Sequence, residues 1–124
     1  MSNDQKNEKY DLEERTAKFG EDIIEFAKKV PKNVITLPLI TQLIKAGTSV
    51  GSNYCGADCA ESRKDFEHKI GICKKESKES KHWLRMIAKA VPELKDEAKR
   101  HWKEANELQL IVISIVKKSR SHQK

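Results

Sequence analysis

Lys74, Lys78, Lys81 and Arg85 recur at intervals of four, three and four residues. That spacing puts side chains on one stripe of a helix. Four cations in a row can neutralise phosphates and release the counterions condensed on a nucleic acid. The same stripe can equally stand solvated, since each like-charge neighbour pair costs only about 0.2–0.5 kcal/mol. Arg63 and Lys64, near the start of the same helix, are further candidates for phosphate contact, and Lys117, Lys118, Arg120 and Lys124 form a basic tail. Aromatic residues are not regularly interleaved with these cations, and no RNA-recognition, KH or zinc-finger pattern occurs. The expected partner is therefore RNA or DNA bound through its backbone, not base-specifically.

Other groups suggest other chemistry more weakly. Cys55 and Cys59 stand one helical turn apart, as metal ligands can, but structural zinc needs four ligands at recognisable spacing. Cys73 falls on a core position and His68, His82, His101 and His122 are scattered. Neither a metal nor a cofactor is expected. Asp65, Glu67 and His68 cluster near a helix start, where a metal-dependent nuclease could use them; acids in a first turn also serve the helix dipole. His101 reads as a hydrogen-bonded core histidine. Without a phosphate-binding glycine loop or a nucleophile motif, the chain reads as a binding protein and not an enzyme.

The elements that must position these residues are helices. Of 124 residues, 35% are charged and 6% aromatic, with three prolines and five glycines, a profile of one domain of long helices and short connections. Four seams alternate steps of three and four. The first is Leu12, Thr16, Phe19, Ile23, Phe26, Val30, and the second Ile40, Leu43, Gly47, Val50, Tyr54, Ala57. The third is Phe66, Ile70, Cys73, Ser77, Ser80, Leu84, Ile87, and the fourth Leu94, Ala98, His101, Ala105, Leu108, Val112, Ile115. Asp11 with Glu14 makes a capping-box pattern, Pro31 stops the first helix, Pro38 suits the first residue of the second, Ser62 with Asp65 starts the third and Pro92 opens the fourth. Gly47 and Gly51 each weaken a helix by up to about 1 kcal/mol relative to alanine, which implies a close helix crossing. The fold expected is all-α, an antiparallel up-and-down four-helix bundle over residues 11–118, with a flexible N-terminus at 1–10 and a flexible basic tail at 119–124.

Apolar residues also lie outside the seams. Ile72, Trp83 and Met86 flank the third, and Trp102, Leu110, Ile111 and Ile113 the fourth. A second apolar side means a widened core or a subunit interface, and the sequence leaves both open. The net charge of +6 and pI near 9.2 favour polyanions. With no signal-peptide pattern, no membrane-spanning run and an odd number of cysteines, the expected location is cytoplasmic, with no membrane partner.

Thr48-Ser49-Val50-Gly51-Ser52-Asn53-Tyr54, Glu61-Ser62-Arg63-Lys64-Asp65-Phe66, Lys69-Ile70-Gly71-Ile72 and Glu79 to Leu84, taken in order, resemble the four-helix-bundle protein family, also called the 23S rRNA-intervening-sequence protein family. The likeness covers roughly residues 11–116. It implies an antiparallel four-helix bundle, a ring-like homopentamer and no enzymatic activity. Some relatives are encoded inside insertions in bacterial ribosomal RNA genes. A related branch is the accessory protein of diversity-generating retroelements, which binds nucleic acid and a reverse transcriptase, so a reverse transcriptase or other protein partner is also implied. Asn53, Glu61, Arg63 and Asp65 match the family pattern and read as a polar network fixing the bend between the second and third helices. Asn53 and Glu61, with Ile72, Trp83, Met86 and Trp102, are the residues expected at an oligomer interface. The rival reading is a structural or protein-interaction module with no nucleic-acid role.

Overall fold

Helix boundaries follow from where backbone groups find partners other than the next turn. The computed structural model describes residues 8–121. It has α1 at Glu8–Lys29, α2 at Thr36–Asp58, α3 at Arg63–Ala90 and α4 at Lys95–Ser121, with one 3-10 turn at Pro92–Leu94 leading into α4. The chain is helical through Asp11, so this residue is not the cap the sequence suggested. Likewise α4 runs on to Ser121, into the segment 119–124 expected to lie beyond the bundle; residues 1–7 and 122–124 lie outside the described residues.

After α1, the ammonium of Lys32 donates to the carbonyls of Ala27, Lys28 and Val30 at 3.3, 3.2 and 3.1 Å. A cation at a helix C-terminus satisfies orphan carbonyls and complements the dipole. Asn33 then opens α2: its side-chain oxygen accepts from the amides of Ile35 and Thr36 at 2.9 and 3.0 Å. The Thr36 hydroxyl ties back to the Pro31 carbonyl. This side-chain cap starts α2 two residues before Pro38, which still falls in the first turn, where a missing amide costs no helical bond. The expected start of α3 is found, with the Ser62 hydroxyl accepting from the Asp65 amide at 3.0 Å.

Cross-helix pairs show that all neighbours run antiparallel. Along α1 and α4, Arg15 meets Glu104 while Lys29 meets Glu97. Along α3 and α4, Arg63 meets Ser119 while Lys81 meets Asn106. The helices form a closed square in which α1 packs on α2, α2 on α3 and α3 on α4, with a sparser contact between α4 and α1.

Phe19, Ile23 and Phe26 of α1, Leu43 and Val50 of α2, Ile70, Leu84 and Ile87 of α3 and Leu108 and Val112 of α4 are fully buried. Burying each such side chain contributes roughly 1.5–3 kcal/mol. Ser77 and Ser80 are buried as well, and their hydroxyls donate to the carbonyls of Cys73 and Glu76, both at 2.8 Å. The Cys73 thiol donates to the Val50 carbonyl at 3.4 Å, and burial pushes its pKa up to about 12. Between α1 and α2 the backbones come close, as the glycines implied. A Cβ on Gly47 would stand 2.9 Å from Cγ2 of Ile23, and one on Gly51 would stand 3.2 Å from the Thr16 carbonyl oxygen.

Candidate nucleic-acid interface

The seam of α3 faces the core, so its two flanks face its two neighbours. Contacts identify which is which. The Lys81 ammonium donates to Oδ1 of Asn106 on α4 at 2.9 Å, so the stripe of Lys74, Lys78, Lys81 and Arg85 edges the α3–α4 groove. On the other flank the Lys69 side chain lies against Gly56 of α2, placing Ile72, Trp83 and Met86 along the α2–α3 groove. That second flank is apolar and partly acidic. Burial, and the nearby Glu79, push the Glu76 carboxyl above its ordinary range.

On the basic flank, Lys74, Lys78 and Arg85 are exposed. Among the described residues none of the three has an ion pair or a side-chain hydrogen bond. Lys81 is half-buried and held. Besides its bond to Asn106, its ammonium sits 4.9 Å from the ring centroid of Trp102, a cation–π distance. Trp102 thus stands in space beside Lys81 of the α3 stripe, a residue 21 positions away in the sequence. Lys99, Lys103, Lys117 and Arg120 share, by their three- and four-residue spacing, the face of α4 that carries Asn106, and all four are exposed. Lys99 and Lys103 escaped the sequence reading because they align with no long stripe of their own.

Arg63 is turned away from this groove's middle, donating to the Ser119 carbonyl at 2.8 Å, while Lys64 is exposed one residue later. The polar network expected around Asn53 does not form. Asn53 donates to Ser49 within its own helix at 2.9 Å, Arg63 bonds to α4, Asp65 meets Ser62 only through its amide, and Glu61 is exposed. The residues expected at an interface are therefore divided. Ile72, Trp83 and Met86 are half-buried on the α2–α3 flank, and Trp102 is on the α3–α4 flank. A separate apolar knuckle stands at the end of the bundle where α1 turns into α2: Val34, Ile35 and Leu37 are 84%, 63% and 51% exposed. Its signal in the sequence is the run Val34-Ile35-Thr36-Leu37 in a linker, where polar residues are the norm.

The α1–α4 seam has the opposite character. Arg15 grips Glu104 with Nε at 2.7 Å and Nη2 at 2.8 Å, and Nη2 also reaches Glu107 at 2.7 Å. These bonds raise the Arg15 pKa despite partial burial. Lys29 donates to Glu97 at 3.0 Å. Burial acts to raise the Glu97 pKa, but the Lys29 bond and the nearby His101 bring it below the ordinary value. His101 packs on the Phe26 ring at 5.3 Å, and its buried Nε2 lies 3.6 Å from Glu97, so it is not the hydrogen-bonded histidine expected.

A cavity of about 670 Å³ opens at the end of the bundle away from the knuckle, lined mainly by Leu12, Tyr54, Phe66, Ile111 and Ile115. The residues weighed for hydrolysis do not line it. Glu67 accepts from the Ser119 hydroxyl at 3.0 Å and His68 is exposed. Cys55 and Cys59 are exposed while Cys73 is buried, and among the described residues no three histidine, cysteine or acidic side chains are grouped to hold a metal. No helix among them is long and apolar enough to cross a membrane.

Residues 8–114 match the model of a family described as 23S rRNA-intervening sequence protein. A crystal structure of a protein with unknown function from the S23 ribosomal protein family of Bacteroides thetaiotaomicron has the same fold. Its TM-score is 0.76 at 24% identity, covering 88% of this chain and 97% of that one. No curated protein matches the chain.

Proposed function

The chain belongs to the 23S rRNA-intervening sequence protein family, and from that premise we propose that it is a non-enzymatic homo-oligomer, a pentamer, that binds RNA or DNA through the α3–α4 face. One observation carries the reading. Lys74, Lys78 and Arg85 are exposed without partners, while Arg15 and Lys29 on the α1–α4 seam are matched to acids. An unpartnered row of cations is free to exchange its counterions for phosphates. Lys74 to Arg85 spans about 16 Å at 1.5 Å per residue, and Lys99, Lys103, Lys117 and Arg120 extend the field onto α4. Base-specific reading needs side chains presented to base edges, and long solvated lysines serve phosphates instead.

The α2–α3 flank supports self-association. Ile72, Trp83 and Met86, all half-buried, offer an apolar strip on the side away from the cations. Light scattering coupled to size exclusion tests this part: the expected mass is five times the 14.2 kDa of one chain. A mass of one chain overturns it. Fluorescence anisotropy with labelled RNA and DNA tests the other part. Binding should weaken steeply and linearly on a log–log plot against salt; no binding at low salt overturns it.

The exposed knuckle of Val34, Ile35 and Leu37 favours a second reading, a module that docks a protein such as a nucleic-acid-handling enzyme. That contact would be apolar and would survive the salt that strips nucleic acid from the basic face.

A further inference from the structure

We infer that Trp102 is a base-stacking platform, and that it makes the basic α3–α4 face select single-stranded over duplex nucleic acid. The inference rests on the nucleic-acid reading above and deepens it.

Trp102 is 37% exposed, the largest kind of side chain left partly in water on a face it shares with cations, polar groups and the exposed Leu110. Core packing does not explain its position. Nor does the apolar α2–α3 flank, since the ring lies on the other side of α3 with Lys81. What the structure does show is a ring held in place. The Lys81 ammonium is pinned from two directions, by Oδ1 of Asn106 at 2.9 Å and by the ring at 4.9 Å from its centroid. An ammonium has three donors, so Lys81 keeps capacity for a phosphate while bracing the indole. Lys78 lies one turn before Lys81 and Arg85 one turn after, both exposed and unpartnered. Lys99 and Lys103 flank Trp102 on α4.

This is the pairing that single-strand binders use: a cationic track for the backbone and an aromatic ring for an unstacked base. A duplex offers the track its phosphates but keeps its bases stacked inside, so the ring gains nothing from it. A single strand offers both. Because every base has a π-face, the selection is for strandedness and not for sequence, consistent with the lack of any base-edge reader. Stacking of one base corresponds to about tenfold to hundredfold in affinity.

The test uses fluorescence anisotropy of the full chain with labelled twelve-nucleotide oligo(U), oligo(dT) and a hairpin duplex of equal phosphate number. Wild type, Trp102→Ala, Trp102→Phe and Lys78→Glu/Arg85→Glu are compared, with circular dichroism and light scattering to verify fold and mass. Wild type should prefer both single strands to the hairpin by about tenfold or more. Trp102→Ala should lose that preference while its duplex affinity and mass stay unchanged, and Trp102→Phe should retain most of it. In a Trp83→Phe background, single strands should quench the remaining tryptophan emission and the hairpin should not. Equal wild-type affinity for strand and duplex overturns the inference and leaves the nucleic-acid reading standing. A drop in solution mass for Trp102→Ala also overturns it, showing the ring to be an oligomer contact. If wild type binds no nucleic acid at all, both readings fall together.

Discussion

The two sides of α4 carry charge in opposite ways. Toward α1 it presents Glu97, Glu104 and Glu107, and cations from α1 meet them at 2.7 to 3.0 Å. Toward α3 it presents Asn106 and Trp102 beside a row of cations, of which only Lys81 is held. The first side spends its charge inside the molecule, where it closes the sparsest contact in the bundle. The second leaves most of its charge unpaired in the monomer. Net charge alone does not reveal this division; the partner of each charged group does.

The largest effect should come from reversing the unpartnered side. If the α3–α4 face binds as proposed, Lys78→Glu/Arg85→Glu would remove two phosphate contacts per chain and add repulsion, so affinity for RNA or DNA at low salt should fall by about 100-fold or more. Denaturant melts should show stability unchanged within about 0.5 kcal/mol, because neither side chain has a partner to lose. Unchanged binding would remove the distinction between the two sides.

The mirror substitution should do the reverse. Arg15→Ala leaves Glu104 and Glu107 without their cation, and should cost about 1 kcal/mol, since the pair is only partly shielded from water, with side chains 28% and 33% exposed. Nucleic-acid affinity should not change; a tenfold loss would show that the α1–α4 side takes part in binding.

Acid should separate the sides more gently. The Glu97 pKa is lower folded than unfolded, so its contribution to stability is present above the ordinary carboxylate value of 4.5 and is lost as pH falls through the folded value. Glu97→Gln should flatten part of the fall in stability below that pH; an unaltered pH profile would show that Lys29 and His101 do not act through Glu97. Smallest of all should be the response of folding to salt. Raising salt from 50 to 500 mM should strip nucleic acid from the face yet shift the melting temperature by only about 2 °C, because the stability that resides in the apolar core is not screened.

The core was legible along most of each seam, because burial in a helix repeats with the helix and the repeat is local; Phe66, Leu94, His101 and Ile115, at the seams' ends or polar, are half-buried. Thr16, Phe19, Ile23, Phe26 and Val30, spaced four and three apart, are all buried. Helix ends were read less well where a side chain decides them. Ser62 caps α3 in the common pattern, but Asn33, five residues before Pro38, caps α2 through an Asx turn. For the site, the stripe on α3 was legible and its companion was not. Lys81 and Trp102 are brought together by the register between two antiparallel helices, and no pattern within either helix encodes that register. The division of Trp83 from Trp102 between two grooves has the same cause. The knuckle at Val34 and Ile35 was visible as letters, but only the fold shows that no described residue of the chain covers it.

An even number of alternating helices also decides where the chain begins and leaves. Glu8 at the start of α1 and Ser121 at the end of α4 emerge at one pole of the bundle, beside the cavity, and the knuckle occupies the opposite pole. A fluorophore or surface tether attached at Glu8 or at Ser121 would project from the same pole. Immobilised that way, the molecule would stand with Val34, Ile35 and Leu37 pointing into free solution and the long basic groove running upright along its side.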